Sequence, residues 1–134
     1  MTPEQCNVVV EVIIKREVTP IELLEQFSKE YGADFNKAKA IVHCESGVYH
    51  SDPNVIEEYQ RTIPNLAGAS SASGYAQFLD GTWENTMIRM GTSTTISKHH
   101  PVMSLKAFVW LLATDGDSHW NESKACWSNL IKYD

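Results

Sequence analysis

The sequence predicts a mostly α-helical protein folded as a single domain over residues 1–134, on three observations. Apolar residues recur at the three-and-four spacing of a helix face along much of the chain. Two stretches, Thr2-Pro3-Glu4-Gln5 and Thr19-Pro20-Ile21-Glu22, join a capping hydroxyl to Pro at the first helical position and Gln or Glu three places on. Gly32, Gly47 and Gly91 then stand where helix-spaced runs stop.

Taken in order, Thr2 opens a helix to Lys15, although its Val-rich middle suits a strand equally. Thr19 caps a cleaner helix ending at Tyr31, and these elements form an N-terminal portion over residues 1–33. Asp34 caps the next helix and begins a core portion over residues 34–131. From Val48 to Tyr75 the periodicity fails, with Pro53, Pro64 and a cluster of Ala, Ser and Gly. So long an irregular connection in a compact domain is usually functional. Asp80 or Thr82 starts a helix carrying Trp83, Met87 and Met90. Past His99, His100 and Pro101, the most apolar helix runs from Ser104 to Thr114 and is expected to be central. Asp115-Gly116-Asp117 stops it, and a short helix from Asn121 to Ile131 closes the chain.

Bulk properties narrow the function. The chain is 43% hydrophobic and 21% charged, without repeats, as ordinary globular domains are. A net charge of -6 with scattered Lys and Arg argues against nucleic acid as a partner. The apolar run Phe108 to Ala113 is too short to span a bilayer. The cluster Val8 to Ile14 is broken by Glu11 and lacks a basic flank, so no signal peptide is read. His99 and His100 are adjacent and no other histidine shows ligand spacing, so neither metal nor cofactor is expected. A monomer is expected.

The most informative residue is Glu45. Phe35, Ala38, Ile41 and Val42 form a helical stripe whose next position falls on Glu45, one turn before the helix-stopping Gly47. A carboxyl withdrawn from water holds its proton more tightly and can donate it as a general acid. A second informative stretch runs from Ala69 to Trp83. Ser73 and Gly74 are small enough for a ligand to approach the backbone, and Gln77 carries both a donor and an acceptor. Tyr75 and Trp83 have flat faces suited to a sugar ring, although a core position for Trp83 fits equally.

Cys44-Glu45-Ser46-Gly47, then Ser73-Gly74-Tyr75-Ala76-Gln77-Phe78, then Thr82-Trp83 resembles the signature of the lysozyme-like superfamily. The resemblance is to its soluble lytic transglycosylase and resuscitation-promoting-factor domains. Trp120-Asn121-Glu122-Ser123-Lys124-Ala125-Cys126-Trp127 is similar to the Trp…Cys ending of the second type. The resemblance covers residues 38 to 127. It implies two helical lobes around a saccharide cleft, with an irregular or β-containing segment around 48–79. It also implies a peptidoglycan substrate, cut at the β-1,4 bond between N-acetylmuramic acid and N-acetylglucosamine, and hence an extracellular, periplasmic, cell-wall or phage-borne setting.

By that resemblance Glu45 is the catalytic acid, and Ser46 supports it or contacts sugar. Ser73, Gly74 and Gln77 belong to the cleft, and Tyr75 stands where those families usually have Leu. Trp120 and Trp127 are either core or a sugar-binding wall. The chain departs from the families in its long connection to Gly74 and in lacking an Ala-Tyr-Asn-Ala-Gly motif. A second carboxylate has no firm place: Asp80 is a candidate but also suits a helix cap, and Asp52, Glu57 and Glu58 lie in the irregular connection. With one carboxylate, the implied chemistry is that of a lytic transglycosylase, which closes a 1,6-anhydro ring. With Asp80 as partner it is a hydrolytic lysozyme, and without catalysis a peptidoglycan-binding module. Of three cysteines, the resemblance pairs Cys44 with Cys126, against the alternative of buried free thiols, and leaves Cys6 over.

Overall fold

A computed structural model describes residues 18–47 and 71–133. The expected helix from Thr2, with Cys6, and the greater part of the irregular connection, with Asp52, Glu57 and Glu58, lie outside the described residues. Within them are five α-helices: α1 (Pro20–Tyr31), α2 (Phe35–Ser46), α3 (Asp80–Arg89), α4 (Pro101–Asp115) and α5 (Lys124–Tyr133). A 3-10 segment, Ser118–Ser123, leads into α5. The described residues contain no strand, only one antiparallel bridge between Ser73 and Phe78.

Local chemistry sets most boundaries. Thr19 Oγ1 accepts the Glu22 N–H at 3.1 Å, and Pro20 needs no donor where it stands. Asp34 caps α2 in the same way, accepting the Lys37 N–H at 3.2 Å. Helix α3 begins at Asp80, but Leu79 holds the cap position and no side chain caps it. Asp80 is therefore the first helical residue rather than a cap, and its charge suits the positive end of the helix dipole. Helix α4 starts at Pro101, three residues before Ser104, because His100 Nδ1 accepts the N–H groups of Val102 (3.3 Å) and Met103 (3.0 Å). The closing helix is split. Trp120 leaves helical geometry at φ -115°, ψ 25°, so a 3-10 turn precedes α5 where one helix from Asn121 was expected.

Helix α4 is central, as its composition predicts. Leu105, Ala107, Phe108, Val109, Leu111 and Leu112 are all buried, so it meets neighbours nearly all round. Helix α1 lays Leu23, Leu24 and Phe27 against it, and α3 adds Trp83 and Met87 to the same core. Helix α2 packs between α1 and α5. Each large side chain so buried contributes roughly 1.5–3 kcal/mol against exposure. At the far end of α4, Arg89 of α3 donates twice to the Asp115 carboxylate, at 2.7 and 2.8 Å. That fork, with His119 behind it, holds Asp115 well below the usual carboxylate range.

Candidate functional site

Glu45 sits in the last turn of α2, on the stripe whose earlier members Ala38, Ile41 and Val42 are buried. The helix stops directly after it because Gly47 adopts φ 75°, a left-handed conformation costly for residues with a Cβ, and returns its N–H to the His43 carbonyl at 2.8 Å. The Glu45 carboxyl is thus half-buried at the negative end of a helix dipole. Burial raises its pKa above the model-compound 4.5; a hydrogen bond from Ser123 opposes the rise and the nearby Glu122 adds to it.

Ser123 Oγ lies 2.7 Å from Glu45 Oε1 and 3.2 Å from the Trp120 carbonyl. The 3-10 turn that presents it is anchored by the two indoles around it. Trp127 Nε1 donates to the Trp120 carbonyl at 3.0 Å, and Trp120 Nε1 donates to the Ala76 carbonyl at 3.0 Å. The Trp120 ring meets Phe108 edge to face at 4.9 Å. Cys44 and Cys126 form a disulfide with Cα atoms 6.1 Å apart. One end of the bridge is the residue before Glu45, and the other lies three residues beyond Ser123. Lys37 of α2 adds an ion pair to Asp117 at 2.9 Å, which lowers the Asp117 pKa.

The stretch from Ser71 to Asp80 folds as a tight turn closed by the Ser73–Phe78 bridge. Gln77 takes φ 55°, unusual for a residue with a side chain, and its Nε2 donates to the Gly74 carbonyl at 3.0 Å. Lys98, whose side chain is only 11% exposed, donates to the carbonyls of Ser71 and Phe78 and pairs with Asp80 at 2.7 Å. Ser73 Oγ shares a 2.6 Å hydrogen bond with His99 Nε2.

Several expected roles change. Tyr75 is 1% exposed and Trp120 is 5% exposed; both belong to the core, so neither offers a ring face to a sugar. Trp83 and Trp127 are likewise core residues, their indole N–H groups satisfied by backbone carbonyls. Ser46 does not reach Glu45: its hydroxyl returns to the Val42 carbonyl at 3.0 Å, the habit of a helical Ser near a helix end. Ser123 takes the supporting place instead. Asp80 is 74% exposed and bound to Lys98. The sequence does not single out Ser123 or Lys98, and it weighs His99 only as a metal ligand. Ser123 falls inside the Trp120–Trp127 stretch, and that was the available signal. Lys98 and His99 are brought to the turn by tertiary packing alone.

The described residues form a surface hollow along α1, lined by Glu22, Glu25, Gln26, Lys29 and Glu30. These are the charged solvated face of one helix and include no predicted site residue. Among the described residues no cluster of His, Cys, Asp and Glu could hold a metal ion, and no helix is long and apolar enough to cross a membrane. Comparison with protein-family models, curated proteins and solved structures finds no match to this chain.

Proposed function

We propose that the chain is a peptidoglycan-cleaving glycosidase of the lytic transglycosylase type, built on a lysozyme-like fold with Glu45 as its single catalytic carboxyl. The observation that carries the proposal is Glu45 itself: a half-buried carboxyl with a raised pKa, held by Ser123. Such a group holds its proton to higher pH than an exposed glutamate does, the direction in which a general acid is tuned. The resemblance of Cys44–Gly47, Ser73–Phe78 and Trp120–Trp127 to lysozyme-like domains supplies the substrate. The disulfide supports an oxidising setting such as a cell envelope or its exterior.

In this reading Glu45 protonates the glycosidic oxygen as the bond to C1 of N-acetylmuramic acid breaks. The resulting carboxylate then takes the proton of the C6 hydroxyl while O6 bonds to C1. Glu45 ends protonated and ready for the next bond. Asp80 is left out, since its partnership with Lys98 and its exposure fit a helix start better than a base facing sugar.

Digestion of purified sacculi tests the proposal. Wild-type protein should release muropeptides with 1,6-anhydro ends, identified by mass spectrometry, and Glu45→Gln should lower release by at least about 100-fold. Reducing ends carrying solvent oxygen would convert the assignment to a hydrolase. Intact sacculi at every pH tried would end it.

A further inference from the structure

We infer that Ser123 is the positioning residue for Glu45, a hydroxyl rotor that gives the carboxyl a hydrogen-bond partner both with and without its proton. A serine hydroxyl carries one hydrogen and accepts through two lone pairs. Here two acceptors compete for that hydrogen: Glu45 Oε1 at 2.7 Å and the Trp120 carbonyl at 3.2 Å. When Glu45 is ionised, the charge-assisted bond is the stronger and the hydrogen points to the carboxylate. When Glu45 is protonated, its own O–H can donate to Ser123 Oγ, and the serine hydrogen turns to the Trp120 carbonyl. Neither state leaves a polar atom stranded, so the proton can come and go without repacking.

The frame around the rotor is fixed. The Trp120 carbonyl is held by Trp127 Nε1, and the Trp120 ring is tied to Ala76 and packed on Phe108. The Cys44–Cys126 bridge sets the spacing between the end of α2 and the start of α5, on either side of the contact. The charge acting on Glu45 is Glu122 of the same 3-10 segment. On the packed elements, Lys37 is engaged with Asp117, toward which Lys124 of α5 also acts.

The inference deepens the glycosidase proposal, because alternation of one carboxyl between acid and base is what the rotor serves. The protonation link can be measured without turnover. The test follows Glu45 by carbon-13 carboxyl titration in wild-type, Ser123→Ala and Ser123→Thr proteins, alongside the pH dependence of muropeptide release. Loss of the donor in Ser123→Ala should move the Glu45 titration upward and cut kcat about tenfold with KM little changed. Ser123→Thr keeps a hydroxyl and should restore both. Identical Glu45 titrations in wild-type and Ser123→Ala would overturn the inference, as would a folded Ser123→Thr that behaves like Ser123→Ala. If wild-type protein leaves sacculi intact, the glycosidase proposal fails, while the titration still decides the role of Ser123.

Discussion

Glu45 is a residue that its surroundings would sooner have neutral. Its stripe neighbours are buried, its own carboxyl is partly withdrawn from water, and Glu122 stands near. The consequence for stability has a definite sign. The folded chain binds this proton more tightly than the unfolded chain does, so folding loses stability as pH rises from 4.5, the model-compound value, through the raised folded value. Below that window both states hold the proton and the penalty is absent. Glu45→Gln removes the charge while its amide oxygen can still accept from Ser123. Thermal unfolding should therefore find that the stability of the variant relative to wild type is flat at acid pH, rises as pH passes from 4.5 through the raised folded value, and is constant above it. A constant difference at all pH values would mean that Glu45 titrates like an exposed glutamate. The same residue would then be where stability and the proposed activity pull in opposite directions.

At the scale of elements, helix starts were legible where they use common capping chemistry and hidden where they do not. Thr19 and Asp34 carry hydroxyl and carboxylate caps, and α1 and α2 start where the sequence says they should. His100 is not a usual cap, so the helix it opens reads as beginning at Ser104, although Pro101 beside it is a good first helical residue. The split before α5 was not legible at all. Trp120 leaves helical geometry where its indole reaches Ala76 and its ring meets Phe108, long-range contacts that no local pattern announces. The site divides in the same way. Glu45 stood out because it interrupts a periodic stripe. Ser123 did not, because it meets Glu45 only through packing of α2 against the C-terminal segment. Tyr75 does not face sugar, and Trp83, Trp120 and Trp127, open to either role in the sequence, go to the core for a related reason: flat faces suit both a sugar and a core, and burial decides. The histidine cap can be tested directly. His100→Ala leaves the Val102 and Met103 N–H groups without their acceptor and should destabilise the protein by about 1 kcal/mol in urea titration. His100→Asn, which supplies a shorter acceptor, should recover most of that loss. Equal midpoints for wild type and His100→Ala would show that water satisfies the helix start just as well.

Across the molecule, the Cys44–Cys126 bridge closes a sequence separation of 82 residues, which takes in the irregular connection, the turn at Gln77 and the central helix α4. Constraining so long a loop in the unfolded chain corresponds to about 4–5 kcal/mol of stability by the chain-entropy estimate. Its position gives it a second effect. The bridge joins the last turn of α2 to the first turn of α5, the two elements that bring Glu45 and Ser123 to 2.7 Å. Cys126 lies exposed at the surface, so a reductant in solution can reach the bond. Loss of the bridge should therefore act on the site before it unfolds the chain. Some of the remaining frame is non-covalent: the Lys37–Asp117 pair, the two indole hydrogen bonds and the buried face of Trp127. These contacts can keep α2 and α5 together while no longer fixing the Glu45–Ser123 spacing. The expected outcome for the Cys44→Ala/Cys126→Ala variant is a urea midpoint lowered by the equivalent of about 2–5 kcal/mol. At denaturant-free conditions where circular dichroism still shows it folded, its Glu45 titration should already have shifted toward that of Ser123→Ala. If the folded variant keeps the wild-type Glu45 titration, the bridge stabilises the chain without positioning the carboxyl.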